Sequence, residues 1–224
     1  MSLKKILVFC LELIFPPRCV FCGRTISPGT EICKTCASKI APVNTLRCMN
    51  LPGSGQNIPC IVLYSYESQV RDSMIRFKFY GEKKNADFYA KQLAELLLSR
   101  IQPTSLDLVT AVPISRERKK KRRYNQSELI ARKVAAGLNL PYVECLYKIR
   151  DNLEQHRLPR LERMKNVTGV YRADEKKTAG KRVLLIDDIV TTGSTLCECA
   201  KVLLKAGAET VSCAAVAQVS GTSG

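Results

Sequence analysis

The sequence holds a single histidine, His156, and no apolar run long enough to cross a bilayer. A lone histidine is more often a surface residue than a catalyst, so His156 is not assigned as a general base. No Gly-Lys-Ser/Thr follows a glycine-rich loop anywhere useful, which excludes a Walker A site. No export signal is complete either. Lys4–Phe15 mimics one, but Glu12 interrupts it, Pro16-Pro17 follows and no small-residue cleavage site is present. That stretch reads as an amphipathic helix packed on the body, with membrane contact as the lesser alternative. Without export, the 11 cysteines read as thiols and metal ligands in a reducing cytoplasm. Acidic residues are also short: 20 Asp and Glu face 36 Lys and Arg, a net charge of +16. Such an excess steers a polyanion or a small polyphosphate, or is only a solvated basic surface.

What is there organises around Val183–Thr195. Val183-Leu184-Leu185-Ile186 suits a strand buried on both faces of a parallel sheet. Asp187 and Asp188 follow at its carboxyl end, then the turn Thr191-Thr192-Gly193-Ser194-Thr195. Ser194 or Thr195 is placed to cap the next helix, in which Leu196, Ala200, Leu203 and Leu204 share a face and Gly207 marks the end. A turn opening a helix aims free N–H groups and the positive dipole end at one point. Hydroxyls from Thr191, Thr192, Ser194 and Thr195 add to this, and Gly193 allows close approach: a cradle for phosphate. Two carboxylates would repel that phosphate. They suit ribose hydroxyls, or a Mg²⁺ between sugar and pyrophosphate. The thirteen residues resemble the phosphoribosyl-pyrophosphate (PRPP) motif of type I phosphoribosyltransferases, in which the acids hold the ribose hydroxyls and the turn holds the 5′-phosphate.

Near the start, Cys19, Cys22, Cys33 and Cys36 form two Cys-x-x-Cys pairs. Four thiolates so spaced can surround a tetrahedral Zn²⁺, leaving no place for a catalytic water, so the role is structural. A redox dithiol needs only one pair, and the pairing favours zinc. Cys48 and Cys60 stand singly on either side of the loop Leu51–Gly55. They are remnants of a second metal site or simply buried thiols, and no metal is assigned to them. The domain boundary is expected in this loop, giving residues 1–58 and 59–224.

Ile61–Tyr66 reads as the first strand of the larger domain, Val70–Phe79 and Ala86–Ile101 as helices, and Leu106–Val112 as a second strand stopped by Pro113. The turn Pro113–Arg116, with Ser115, then lies where open α/β sheets keep their ligands. From Arg116 to Arg123, seven of eight residues are cationic. Like charges at that density favour a mobile loop until an anion arrives. Pro113, Ser115, Arg116, Lys119, Lys121 and Arg123 are candidates for closing over pyrophosphate. Lys119, Lys120, Lys121, Arg122 and Arg123 are candidates for contacting a nucleic-acid backbone, and a solvated loop is the third reading. Tyr124 could stack on a base. Asn125–Ser127 is expected to cap a helix reaching Leu138, Tyr142–Tyr147 to be a short strand, and Asn152–Tyr171 a hood near the site. Ala208–Ala217 completes a βαβ unit parallel to the motif strand.

Several pieces together resemble the ComF family: Pro16-Pro17-Arg18-Cys19 with the paired cysteines, Phe77-Lys78 with Gly81, Val112-Pro113, Arg123-Tyr124-Asn125-Gln126, Gln155 with Arg163 and Asn166, and the acid motif. The resemblance implies a type I phosphoribosyltransferase-like α/β fold, a parallel sheet with flanking helices, behind an N-terminal zinc ribbon. It implies structural zinc, and PRPP bound with magnesium. It implies a role in natural competence, with single-stranded DNA and a competence ATPase or helicase as partners. Active phosphoribosyl transfer to an unidentified acceptor is the alternative. Two departures stand out. Members often carry a second set of paired cysteines, and the usual Arg-Gly-Phe-Asn-Gln lacks its glycine here, which implies a stiffer loop.

Overall fold

The computed structural model describes residues 16–51, 55–150 and 168–219. The expectations for Lys4–Phe15, and for Gln155, His156, Arg163 and Asn166, fall outside them. In chain order the elements are helix α1 (Lys34–Lys39), strands β1 (Thr45–Asn50) and β2 (Asn57–Ser65), and helices α2 (Ser68–Phe79) and α3 (Asn85–Arg100). Strand β3 (Leu108–Ala111), helices α4 (Arg116–Arg122) and α5 (Gln126–Gly137), and strands β4 (Leu146–Lys148) and β5 (Tyr171–Ala173) follow. Helix α6 (Glu175–Thr178), strand β6 (Arg182–Val190), helix α7 (Ser194–Lys205) and strand β7 (Thr210–Gln218) are the last α-helices and strands among the described residues.

Five strands form one sheet in the order β1-β2-β7-β6-β3. All neighbours are parallel except β1, which runs antiparallel to β2 at the edge. Strand β6 explains why the sheet has two covered faces. Successive side chains of a strand point to opposite sides. Leu184 and Ile186 join a core with Phe77, Tyr89, Leu93 and Ile130 of α2, α3 and α5. Val183 and Leu185 join a second core with Leu196, Ala200 and Leu203 of α7 and with Leu146 and Tyr171. The result is a mostly parallel sheet with flanking helices, the architecture the resemblance implied. Helix α7 ends as its sequence suggests, with Gly207 in the left-handed region at φ +83° and a Cβ there meeting the Ala179 backbone at 3.3 Å.

The cysteine-rich segment does not hang off the body. Phe21, between two of its cysteines, is 1% exposed, and its ring centroid lies 5.5 Å from those of both Tyr64 and Phe88. Arg76 of α2 donates to the Val20 and Phe21 carbonyls at 2.9 Å each and pairs with Glu82. The segment and the sheet therefore share one core. Strand β1, absent from the sequence reading, pairs with β2 along its length, and the division expected between residues 58 and 59 falls inside β2. Only Met49 of β1 is buried, so its sequence carries little alternation to announce a strand.

Candidate functional site

Strand β3 stops pairing with β6 at the Ala111–Ile186 register, and the chain leaves the sheet at Pro113. Strand β6 runs four residues further, to Val190, still held by β7. Asp187 and Asp188 thus sit inside the strand rather than after it, where one neighbouring strand has ended. That is where open α/β sheets leave a crevice. A cavity of about 790 Å³ occupies it, and its lining includes Asp187, Asp188, Thr191, Gly193 and Thr195.

The two acids have different surroundings. Asp187 is 9% exposed, and its Oδ1 accepts from the Ser127 hydroxyl at 2.9 Å and from the Asp188 N–H at 2.8 Å. Burial, and then the neighbouring Asp188 charge, push its carboxyl up to about 7, against the pull of Lys78 and of those two donors. Asp188 Oδ2 instead meets Lys78 Nζ at 2.8 Å. Ser127 is positioned by Asn125, whose Oδ1 accepts the Ser127 N–H at 3.1 Å while its Nδ2 donates to the Val112 carbonyl at 2.9 Å. One side chain therefore ties the end of β3 to the start of α5.

The phosphate-cradle turn differs in detail from expectation. The cap position of α7 is Gly193, at φ +82°, and no side chain caps it. The Thr192 and Ser194 hydroxyls bond each other at 2.7 Å, and neither residue lines the cavity, whereas Thr191 and Thr195 do. A Cβ on Gly193 would stand 3.1 Å from Met49 Sδ, so β1 backs the turn. The first turn of α7 supplies amide donors and the positive dipole end to anything bound there. The oxygen atoms that fit a hard cation such as Mg²⁺ are instead the Asp187 and Asp188 carboxylates on the same cavity.

The basic run is a helix, not a mobile loop. Ser115 Oγ accepts the Arg118 N–H at 3.2 Å as a cap, Glu117 sits in the first turn and four cations in the last, all matching the helix dipole. Glu128 of α5 takes Lys119 at 3.2 Å, and Arg122 lies 5.0 Å over the Phe79 ring. Arg123, at φ +66°, ends it. Helical spacing then divides the cations. Arg118, Lys121 and Arg122 line the first cavity, whereas Ser115, Arg116 and Lys119 line a second one of about 800 Å³. Pro113 borders both, and Lys120 and Arg123 border neither. Tyr124, a candidate base platform, is 6% exposed, tilted against Phe77, with its hydroxyl on the Phe77 carbonyl. It is a core residue.

In the cysteine-rich segment the sulfurs of Cys19, Cys22, Cys33 and Cys36 all lie within 4.8 Å of one another. A tetrahedral zinc with bonds of about 2.3 Å spaces its sulfurs about 3.8 Å apart, and Cys22 Sγ and Cys33 Sγ are 3.8 Å apart. Backbone amides face the sulfurs: Cys33 N–H donates to Cys19 Sγ at 3.3 Å and Cys36 N–H to Cys33 Sγ at 3.4 Å. Burial opposes ionisation of Cys19, yet backbone amides of Cys22, Cys33 and Phe21 bring its thiol down to about 7. The donor set fits structural zinc and is closed to any further ligand. Cys48 is exposed and Cys60 buried, and neither joins a metal-binding cluster among the described residues.

Lys78, Ser127, Tyr66, Arg71 and Lys148 line the first cavity without having been expected there, and Tyr171, the last residue of the expected hood, lines it too. Lys78 lies 110 residues from Asp188, and nothing local in the sequence joins them. No helix among the described residues is long and apolar enough to cross a membrane.

Residues 92–223 match the family model for the phosphoribosyl transferase domain, and residues 10–53 that for the double zinc ribbon domain. The chain belongs to the phosphoribosyl transferase domain family, in the ComF-type arrangement with a zinc ribbon ahead of that domain. It is 28% identical over 199 residues to the DNA utilization protein YhgH of Salmonella typhimurium, covering 86% of each chain. It is 23% identical over 203 residues to the competence protein ComFC of Bacillus subtilis, covering 81% of each. Among solved structures, the adenine phosphoribosyltransferase of Giardia lamblia with 9-deazaadenine is 13% identical, at a TM-score of 0.43, over 79% of this chain and 83% of that one.

Proposed function

We propose that this protein binds PRPP with Mg²⁺ in the first cavity and serves the handling of single-stranded DNA in natural competence. The observation that carries the reading is the convergence of Asp187, Asp188 and the start of α7 on one cavity at the carboxyl ends of parallel strands. Asp187 and Asp188 accept from the ribose hydroxyls. Thr191, Thr195 and the first amides of α7 hold the 5′-phosphate. Arg118 and Lys121, on the helix face turned to the same cavity, meet the pyrophosphate, and Lys78 follows that charge when ribose takes over Asp188. Bound Mg²⁺ supplies charge neutralisation between sugar and pyrophosphate. The biological role rests on similarity to proteins named for DNA utilization and competence.

A second reading, transfer of the phosphoribosyl group, is favoured by one feature. The lining of the same cavity also includes Tyr66, Ile75 and Phe79, apolar and aromatic side chains suited to a planar acceptor. There the protein positions an acceptor against C1′ while pyrophosphate leaves, with stabilisation from the surrounding cations. Titration calorimetry of the full chain with PRPP and Mg²⁺ tests the binding reading. Micromolar or tighter binding, lost in an Asp187→Asn/Asp188→Asn double variant, supports it, and equal affinity in that variant rejects it. Release of pyrophosphate on adding candidate acceptors tests the transfer reading.

A further inference from the structure

The second cavity is separate from the acids and is not explained by PRPP. It borders the first across Pro113, Ile114, Asn125 and Lys148. One side of it is the antiparallel pair β4–β5. Tyr147 and Arg172 are cross-strand partners in that pair, and both line the second cavity. The next pair, Lys148 and Tyr171, lines the first, with Lys148 touching both. Cross-strand partners share a face and neighbouring pairs alternate; Leu146 and Lys148 line the second cavity along with Tyr147, so the strand pair runs along the border between the two cavities.

Two kinds of group meet in the second cavity. Arg116, Arg150 and Arg172 bring three guanidinium groups, and none makes a side-chain hydrogen bond or ion pair among the described residues. Tyr147 brings a ring that is already fixed, its hydroxyl accepting from Lys177 at 3.0 Å and donating to the Glu144 carbonyl at 3.2 Å. Ile114 and Ile149 add apolar surface, Ile149 being 52% exposed. The carboxylates there are Glu128, already held by Lys119 and Arg132, and Glu144. Guanidinium forks recognise phosphate bidentately, and a fixed ring beside apolar side chains receives an aromatic base.

We propose that this second cavity binds a nucleoside phosphate unit, its phosphate on Arg116, Arg150 and Arg172 and its base against Tyr147. The unit comes either from a free mononucleotide or from a single strand, and the cavity's border with the first carries one end of the ligand toward the ribose acids.

The test is equilibrium binding to the full zinc-loaded chain of two probes, uridine monophosphate and a fluorescein-labelled deoxythymidine oligonucleotide. An Arg150→Gln/Arg172→Gln variant is expected to lose at least about tenfold in affinity and to flatten the dependence on salt by up to about two ions. Tyr147→Leu is expected to lose affinity with little change in that salt slope. Melting temperature and zinc content show that each variant is folded, and retained affinity for PRPP shows that the first cavity is intact. Binding of the strand alone, or of both probes, identifies the source and supports the site. Failure of both probes to bind the parent chain overturns it. So does unchanged affinity in the arginine variant, or a loss that instead follows Asp187→Asn/Asp188→Asn. If PRPP does not bind and the oligonucleotide still does through Arg150 and Arg172, the first-cavity reading fails and this one stands.

Discussion

Lys78 Nζ lies 2.8 Å from Asp188 Oδ2, and its charge also pulls down the carboxyl of the neighbouring, nearly buried Asp187. Without Lys78, Asp187 keeps the repulsion of the Asp188 charge and loses the pull of the lysine. Lys78→Met is therefore expected to raise the Asp187 carboxyl further. PRPP affinity measured from pH 6 to 9 then shifts its rising limb to higher pH, and Lys78→Arg restores most of the parent profile. A profile unchanged in Lys78→Met means that the lysine plays no part in keeping Asp187 ionised.

Asp187 also makes stability depend on pH. Its carboxyl is raised to about 7 in the folded chain, chiefly by burial, so the folded state holds this proton more tightly than the unfolded one. The resulting stabilisation is fully present below the unfolded carboxylate range and is lost as pH rises through about 7. Melting temperature should fall across that window more in the parent than in Asp187→Asn, in which the group no longer titrates. Parallel melting curves for the two proteins from pH 5 to 8.5 contradict the assignment.

The zinc ribbon and the sheet should unfold together. Phe21 and Tyr89 lie in one core, with ring centroids 6.4 Å apart. Phe21→Ala should cost about 3–5 kcal/mol in a single denaturation transition. Mercurial titration of the cysteines should release one zinc per chain and lower the melting temperature of the whole molecule. Two separate transitions in calorimetry contradict the shared core.

Gly193 sits at φ +82° with Met49 close behind it. Gly193→Ala should lose about 1–2 kcal/mol from the left-handed backbone alone, and weaken PRPP binding through the displaced turn. Relieving the contact with Met49→Ala in the same chain should recover only the packing share of the loss, as urea denaturation would show.

The strand–turn–helix unit was legible because Val183–Ile186, the acid pair and the glycine-containing turn are contiguous, and the chemistry follows from local geometry. Cys19, Cys22, Cys33 and Cys36 were legible for the same reason. What the sequence hid is long-range. Lys78 reaches Asp188, and Glu128 pairs with Lys119, only because α2, α4 and α5 pack around the end of β3. Charge repulsion alone argued for a mobile basic loop, but the Ser115 cap, the dipole and Glu128 outweigh it. Once that run is helical, its period sorts the cations into two cavities, which no reading of it as a loop could foresee. Tyr124 looked available beside the cations, yet its hydroxyl satisfies a buried carbonyl and its ring fills the core. Strand β1 was missed because an edge strand with one buried residue leaves almost no pattern.

The central claim is that Asp187 and Asp188 grip a sugar while the start of α7 grips its phosphate. A crystal structure of the full chain grown with PRPP and Mg²⁺ tests it most directly. The ribose hydroxyls are expected against the two carboxylates, the 5′-phosphate against residues 191–195, and Lys78 moved off Asp188. PRPP seated elsewhere, or Lys78 still on Asp188 above an unfilled crevice at saturating ligand, contradicts it.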